Sequence, residues 1–178
     1  MRIHNEMLRL LPAEGPVSEF ADRMMLFGQF VGSWDLEIAA YEPDGTRLEY
    51  TGEWHFGWVL DGRGIQDVLI VSPLSMHDKD VPQGGKGSTL RVYDPNLDAW
   101  WISWMGPRDR EFSTLLAYDE GDRIILKGQW ALAHPQKKWQ WVFFDITSEA
   151  FRWECRFFDD PNDDGRVVQE MRAQRRPE

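Results

Sequence analysis

From Gly32 to the end of the chain, large apolar side chains fall on every second residue, and turn residues cut the runs at regular intervals. This period limits the fold more than any other feature, because only an extended strand puts residues i, i+2 and i+4 on one face. Trp34, Leu36, Ile38 and Ala40 alternate with Asp35, Glu37, Ala39 and Tyr41 up to a Pro43-Asp44-Gly45 turn. The next strand sets Leu48, Tyr50, Trp54, Phe56, Trp58 and Leu60 on one face, and Arg47, Glu49, Thr51, Glu53 and His55 on the other. Asp61-Gly62 then turns the chain, glycine tolerating the positive φ of a hairpin. Further strands are expected over 64–72, 88–94, 99–105, 110–118, 123–131, 138–146, 151–159 and 165–175. Between them lie a Pro/Gly-rich loop at 73–87 and turns such as Pro95-Asn96, Gly106-Pro107, Glu120-Gly121 and His134-Pro135.

About ten strands at that spacing read as an antiparallel sandwich or barrel. Short connections favour up-and-down order, and closure removes exposed edges. The expected fold is therefore all-β: an antiparallel up-and-down β-barrel with one short helix before it. A barrel of this strand number is wider than one filled by its own side chains, so it should enclose a cavity.

Upstream, residues 1–17 read as a loosely ordered arm ending at Gly15-Pro16, and 18–178 as a single barrel domain. Ser18 is placed to N-cap the helix, with Glu19 and Asp22 in the first turn where the helix dipole favours acids. Phe20, Met24 and Phe27 recur at helical spacing, and Gly28 and Gly32 mark where the helix gives way.

The 178 residues suit one domain with a substantial core. Ten Trp and ten Phe are more large rings than such a core needs, which fits a wide interior or a pocket for a flat apolar ligand. A net charge of −10 repels nucleic acid and anionic membrane, and Arg172, Arg175 and Arg176 are too short a basic run to offset it. One cysteine, Cys155, allows no intramolecular disulfide and fits a reducing compartment. The N-terminal stretch is broken by Glu6, Arg9 and Pro12, unlike a signal peptide, and no segment has the length of a membrane span. A cytoplasmic protein with no nucleic-acid or membrane partner is the expectation.

The helix followed by Phe30-Val31-Gly32-Ser33-Trp34-Asp35-Leu36 and a meander of strands resembles the opening of the calycins, which include the lipocalins and fatty-acid-binding proteins. With GEWHFGWVLDGRGIQD, YDPNLDAWWISW and YDEGDRIILKG, the chain also resembles uncharacterised bacterial lipocalin-like proteins of the DUF1579 type. The resemblance covers residues 20–175 and implies a barrel holding a small molecule. It further implies that Trp34 closes one barrel end beneath a late arginine, Arg172 or Arg175. Haem-binding nitrobindin-like barrels use a longer Gly-x-Trp-x-Gly-x-Gly start and a late histidine. Here Asp35-Leu36 follows Trp34 and no histidine lies beyond His134, which disfavours haem.

Nucleotide and hydrolase motifs are missing, and Gly62-Arg63-Gly64 is better explained as a turn. His77-Asp78-Lys79-Asp80 resembles a fragment of a metal site, but His4, His55 and His134 are remote from it in sequence. No metal or other cofactor is therefore expected. Alternation puts His55 on the outer face, and Cys155 inward with Phe151, Trp153 and Phe157.

Residues 64–72 are apolar on both faces, so one of Gln66 or Asp67 should sit in an apolar setting, with Arg63 or Arg91 as partner. The functional expectation is a cavity for a small apolar or aromatic molecule. Its walls would come from Trp34, Trp54, Phe56, Trp58, Trp100 or Trp101, Trp104, Trp130, Trp139 and Trp141. Tyr50, Arg63, Gln66, Asp67, Arg91 and Tyr93 are the candidate polar anchors. The alternative is a cofactor-independent isomerase, cyclase or hydrolase, with Asp67 as general acid or base and Arg91 or Tyr93 stabilising negative charge. The two-faced strand 64–72 also motivates a homodimer.

Overall fold

The computed structural model describes residues 5–73, 85–108, 110–129, 138–159 and 164–177. Ten antiparallel strands run in chain order: β1 (Gly32–Tyr41), β2 (Arg47–Val59), β3 (Gly64–Pro73), β4 (Gly85–Asp94), β5 (Ala99–Gly106), β6 (Glu111–Asp119), β7 (Arg123–Gln129), β8 (Lys138–Phe144), β9 (Ala150–Phe158) and β10 (Arg166–Arg175). Each pairs with its sequence neighbours, and β10 returns to β1, with Trp34 opposite Arg175 and Ala40 opposite Gln169, closing the barrel. The meander and its strand number are those expected from the period of two.

Register follows from which face must be dry. Trp34, Leu36, Ile38 and Ala40 of β1 are buried while Asp35 and Glu37 face water, and shifting the pairing by one residue would invert the whole set. In β2, Tyr50, Trp54 and Phe56 point inward. Gly52 stands between them because a Cβ there would come within 2.5 Å of the Ile70 carbonyl oxygen.

Two helices precede the barrel, α1 (Glu6–Leu10) and α2 (Ala21–Gly28). The segment read as a loosely ordered arm contains α1, and its later residues are tied to the end of β2. Ala13 N donates to Trp58 O at 2.9 Å, Leu60 N to Leu11 O at 3.0 Å and Val17 N to Gly62 O at 3.0 Å. Ser18 does not cap α2. It opens a 3₁₀ turn, Ser18–Phe20, that leads into α2, and no side chain caps that turn or α2.

Two strand limits also differ from the alternating pattern. Leu60 leaves the inward face because Leu60 and Asp61 take left-handed backbone angles, φ 54° and 55°, which ends β2 at Val59 and leaves Leu60 exposed. Of the loop expected at 73–87, Pro73 belongs to β3 and Gly85 to Gly87 to β4, while 74–84 lie outside the described residues. Glycine content there reflects close packing: a Cβ on Gly87 would collide with the Trp104 ring that lies across it.

The core is a stack of rings under α2, which plugs one end of the barrel. Phe27 meets Trp100 edge-on at 5.0 Å and Phe143 at 6.1 Å, and Phe30 meets Phe151 at 4.8 Å, Phe143 at 5.1 Å and Phe56 at 5.8 Å. Trp34 lies in this stack, and its Nε1 donates to Phe30 O at 2.7 Å. Arg175 covers the Trp34 ring at 4.1 Å and donates to Val31 O, Gln29 O and Ser148 O, so of the two arginines considered, Arg175 fills the position.

Candidate functional site

Inside the barrel, towards the strand ends opposite α2, the described residues enclose a cavity of about 560 Å³. Alternation carries wall residues inward from most of the strands, among them Trp54 (β2), Leu69 (β3), Thr89 and Arg91 (β4), Trp104 (β5), Ser113 (β6), Trp139, Trp141 and Phe143 (β8), Trp153 and Cys155 (β9) and Met171 (β10). Its mouth mixes charges, with Lys86, Arg108 and Arg166 beside Glu42 and Glu111. Trp139 and Trp141 meet at 4.8 Å and 68°, Trp141 and Trp153 at 5.6 Å and 55°, and Trp104 and Trp141 at 6.1 Å and 83°. Such edge-to-face contacts present both ring faces and ring edges to whatever enters.

Arg91 sits where the cavity meets the ring stack. It is 1% exposed, and its guanidinium carbon lies 5.2 Å from the centroids of both Phe27 and Phe56. Behind it is Asp67, also 1% exposed, with Oδ2 at 2.6 Å from Arg91 Nη1 and Oδ1 accepting from Thr89 N at 2.8 Å. Two opposite charges buried this deeply are tolerable only as a pair. Arg91 Nη1 is engaged by this contact, and Arg91 Nε is buried without a hydrogen-bond acceptor among the described residues. Nε1 of Trp54, Trp139 and Trp153 is in the same position, and all three indoles belong to the cavity wall. Trp104 differs, donating from Nε1 to Glu111 Oε2 at 3.0 Å.

Burial pushes the Cys155 thiol up to about 12, a contact from the Trp141 indole working against that rise. It takes the place of a small apolar residue in the wall.

The residues singled out from the sequence divide by height and by face. Trp54, Arg91, Trp104 and Trp141 meet at the cavity. Trp34, Phe56, Trp58 and Tyr93 have inward parity but belong to the plugged end. There Trp58 lies against Gly28 of α2, and Tyr93 packs on Phe20 and donates to Asp98 Oδ1 at 2.8 Å. Tyr50 is buried away from the cavity wall, its phenol pushed upward by burial and by Glu42. Asp67 is the inward member of the Gln66–Asp67 choice, standing behind Arg91. Gln66 faces outward and donates to Ser88 Oγ at 3.0 Å. Arg63 is exposed and paired with Glu19 at 3.1 Å, outside the barrel.

Trp100 is the inward member of its pair and Trp101 is 45% exposed. His55 is on the outer wall, 2.9 Å from Ser33 Oγ and 3.0 Å from Glu53 Oε2. His4, His77, His134 and Trp130 lie outside the described residues, among which no three His, Cys, Asp or Glu side chains form a group able to hold a metal ion. Trp153, Phe143 and the glycine at 87 were not singled out for the site. The parity of Trp153 with Cys155 could have found the first.

A second depression, about 770 Å³, lies on the outer wall across β1, β2, β9 and β10. Arg176 there pairs with Asp35 at 2.5 Å and Glu53 at 3.0 Å, so its charges answer one another. The interior cavity, walled by indole rings beside a buried arginine, is the better site.

The same barrel occurs in proteins of very different sequence. Rv2717c from M. tuberculosis superposes with a TM-score of 0.60 at 13% identity, over 88% of this chain and 99% of that one. The S-type phycobiliprotein lyase CpeS from Guillardia theta gives a TM-score of 0.57 at 11% identity, over 86% and 92%. No family model matches the sequence, and no curated protein does. At these identities the likeness is one of fold. Both neighbours are β-barrels. No helix among the described residues is long and apolar enough to cross a membrane.

Proposed function

We propose that the protein binds a small apolar or aromatic molecule inside its barrel. One observation carries this reading: a cavity of about 560 Å³ walled by Trp54, Trp104, Trp139, Trp141 and Trp153 beside a buried arginine. Its size and its few polar groups in an apolar wall are those of small-molecule sites. That one barrel of the same fold is a phycobiliprotein lyase supports the reading, as does the resemblance to lipocalin-like proteins of the DUF1579 type. Titrating a panel of hydrophobic ring compounds against tryptophan fluorescence, with native mass spectrometry of the purified protein, tests it. Quenching or a retained mass is expected. An unchanged signal together with a ligand-free mass overturns it.

A cofactor-independent enzyme built on Asp67 is the second reading, and a buried carboxylate in an apolar wall is what favours it. Its geometry is poorer, because Arg91 stands between Asp67 and the cavity, and Thr89 N already occupies Oδ1. Under that reading Asp67→Asn abolishes turnover and spares binding.

Self-association is the reading for the outer wall of β3 to β6, where Val68, Trp101, Met105 and Phe112 are exposed and Met105 pairs with Phe112. Light scattering is expected to give a dimer mass, and a monomer across the micromolar range overturns it.

A further inference from the structure

Strand β10 is irregular at the cavity end of the barrel. Gln169 stands opposite Cys155 and Val167 opposite Arg156, which leaves Val168 as an extra residue between them. Such a bulge reverses the facing of the residues beyond it. Unbroken alternation from Ala173, Met171 and Gln169 would turn Val167 inward and Arg166 outward. With the bulge, Arg166 falls opposite Phe157 and joins the cavity lining, where it is an exposed residue. Phe157 in turn stands opposite Trp139, so the arginine and two rings occupy one row across β10, β9 and β8. The next row inward is Gln169, Cys155 and Trp141.

The charges of the lining run against those of the chain. Net charge is −10, yet the cavity is lined by Lys86, Arg91, Arg108 and Arg166 against Glu42 and Glu111. Arg91 is answered by Asp67 behind it, and Glu111 accepts from Trp104 Nε1. Among the described residues the side chains of Lys86 and Arg166 make no hydrogen bond or ion pair, and neither does that of Glu42. Even with Asp67 counted, the cations exceed the acids by one, so a single carboxylate would balance them. The planar fork of an arginine takes a carboxylate through two parallel N–H bonds. Neighbouring strands lie about 4.8 Å apart, which sets Arg166 of β10 about 10 Å from Trp139 of β8, the span of a fused ring pair with a short acid arm.

We propose that the cavity takes aromatic carboxylic acids, with the ring body against Trp139 and Trp141 and the carboxylate held by Arg166. This rests on the cavity-binding reading above and specifies its ligand class. The bulge at Val168 is the device that points the arginine at the ligand.

The test uses three compounds of one ring skeleton that differ in charge: 2-naphthylacetate, 2-naphthylacetamide and 2-naphthylethylammonium. Each is titrated calorimetrically into the full-length protein at about 20 mM and about 0.5 M sodium chloride. At low salt the acetate is expected to bind about three- to fivefold more tightly than the amide, the scale of a partly exposed ion pair, and more tightly than the ammonium. The gap should close at high salt, because screening acts on the charge and not on the rings. Arg166→Gln should bring the acetate to within about twofold of the amide. Arg172→Gln removes the same charge from the outer face of the same strand and should leave the gap as it was. If Arg166→Gln does not fold, the charge series and its salt dependence on the unaltered protein still decide. Equal affinities for acetate and amide, tightest binding of the ammonium, or a gap that survives Arg166→Gln overturns the assignment while leaving the cavity reading in place. A gap lost equally in Arg172→Gln overturns it too, as an effect of overall charge. Binding of none of the three removes the cavity reading for such rings, and this inference with it.

Discussion

Replacing Arg91 alone by Met would strand the Asp67 carboxylate inside a wall of rings. Breaking one side of a buried pair costs about 3–5 kcal/mol, so urea unfolding should show a loss of that size. The double variant with Asp67→Asn should recover most of it, because no buried charge then lacks a partner. A near-zero loss for the single variant would mean that the pair is not formed. Cys155 offers a check by pH. Its thiol is held protonated up to about 12, against an ordinary value of 9.0, through burial. A raised folded value contributes stability that is complete below the ordinary value and is lost as pH climbs through the folded one. Native protein should therefore resist iodoacetamide at pH 8 and react once denatured, and its stability should fall on the alkaline side. Rapid labelling of the native protein would contradict the burial.

Among the elements, α2 is the one that turns an open barrel into a cup. Phe27 and Phe30 together contact Trp34, Phe56, Trp100, Phe143 and Phe151. Truncating Phe27 to Ala should cost about 3–5 kcal/mol and leave one side of the Arg91 guanidinium without its ring, measurable by thermal or urea unfolding. The junction of β4 and β5 makes a different prediction. Because the Trp104 ring occupies the space over Gly87, Gly87→Ala must push that indole aside. We expect about 1–3 kcal/mol of destabilisation and weaker ligand quenching. Unaltered binding would show that Trp104 can move without disturbing the cavity.

At the scale of the whole molecule, closure joins the end of the chain to its start, since β10 completes the sheet by pairing with β1. A chain stopped before Arg166 would leave β1 and β9 as bare edges and remove Arg175 from over Trp34. Exposed edges of that length promote edge-to-edge association, so this truncated chain should aggregate on refolding where the full chain does not. A soluble, cooperatively folding truncation would show that closure is dispensable.

The period of two, read along Trp34 to Ala40 and Tyr50 to Phe56, was enough to determine strands, faces and a barrel of about this strand number, because alternation is a local consequence of extended backbone. Parity likewise placed His55 outside and Cys155 inside without any knowledge of partners. It could not place a residue along the barrel axis. Trp54 and Trp58 share a face, yet one walls the cavity and the other rests on α2, a difference of height that depends on where the helix docks. Nor could parity choose between Gln66 and Asp67 in a strand apolar on both sides. Tertiary structure decided that by setting Arg91 of β4 opposite the β3 carboxylate, a contact between residues distant in sequence whose energy arises only once both are buried.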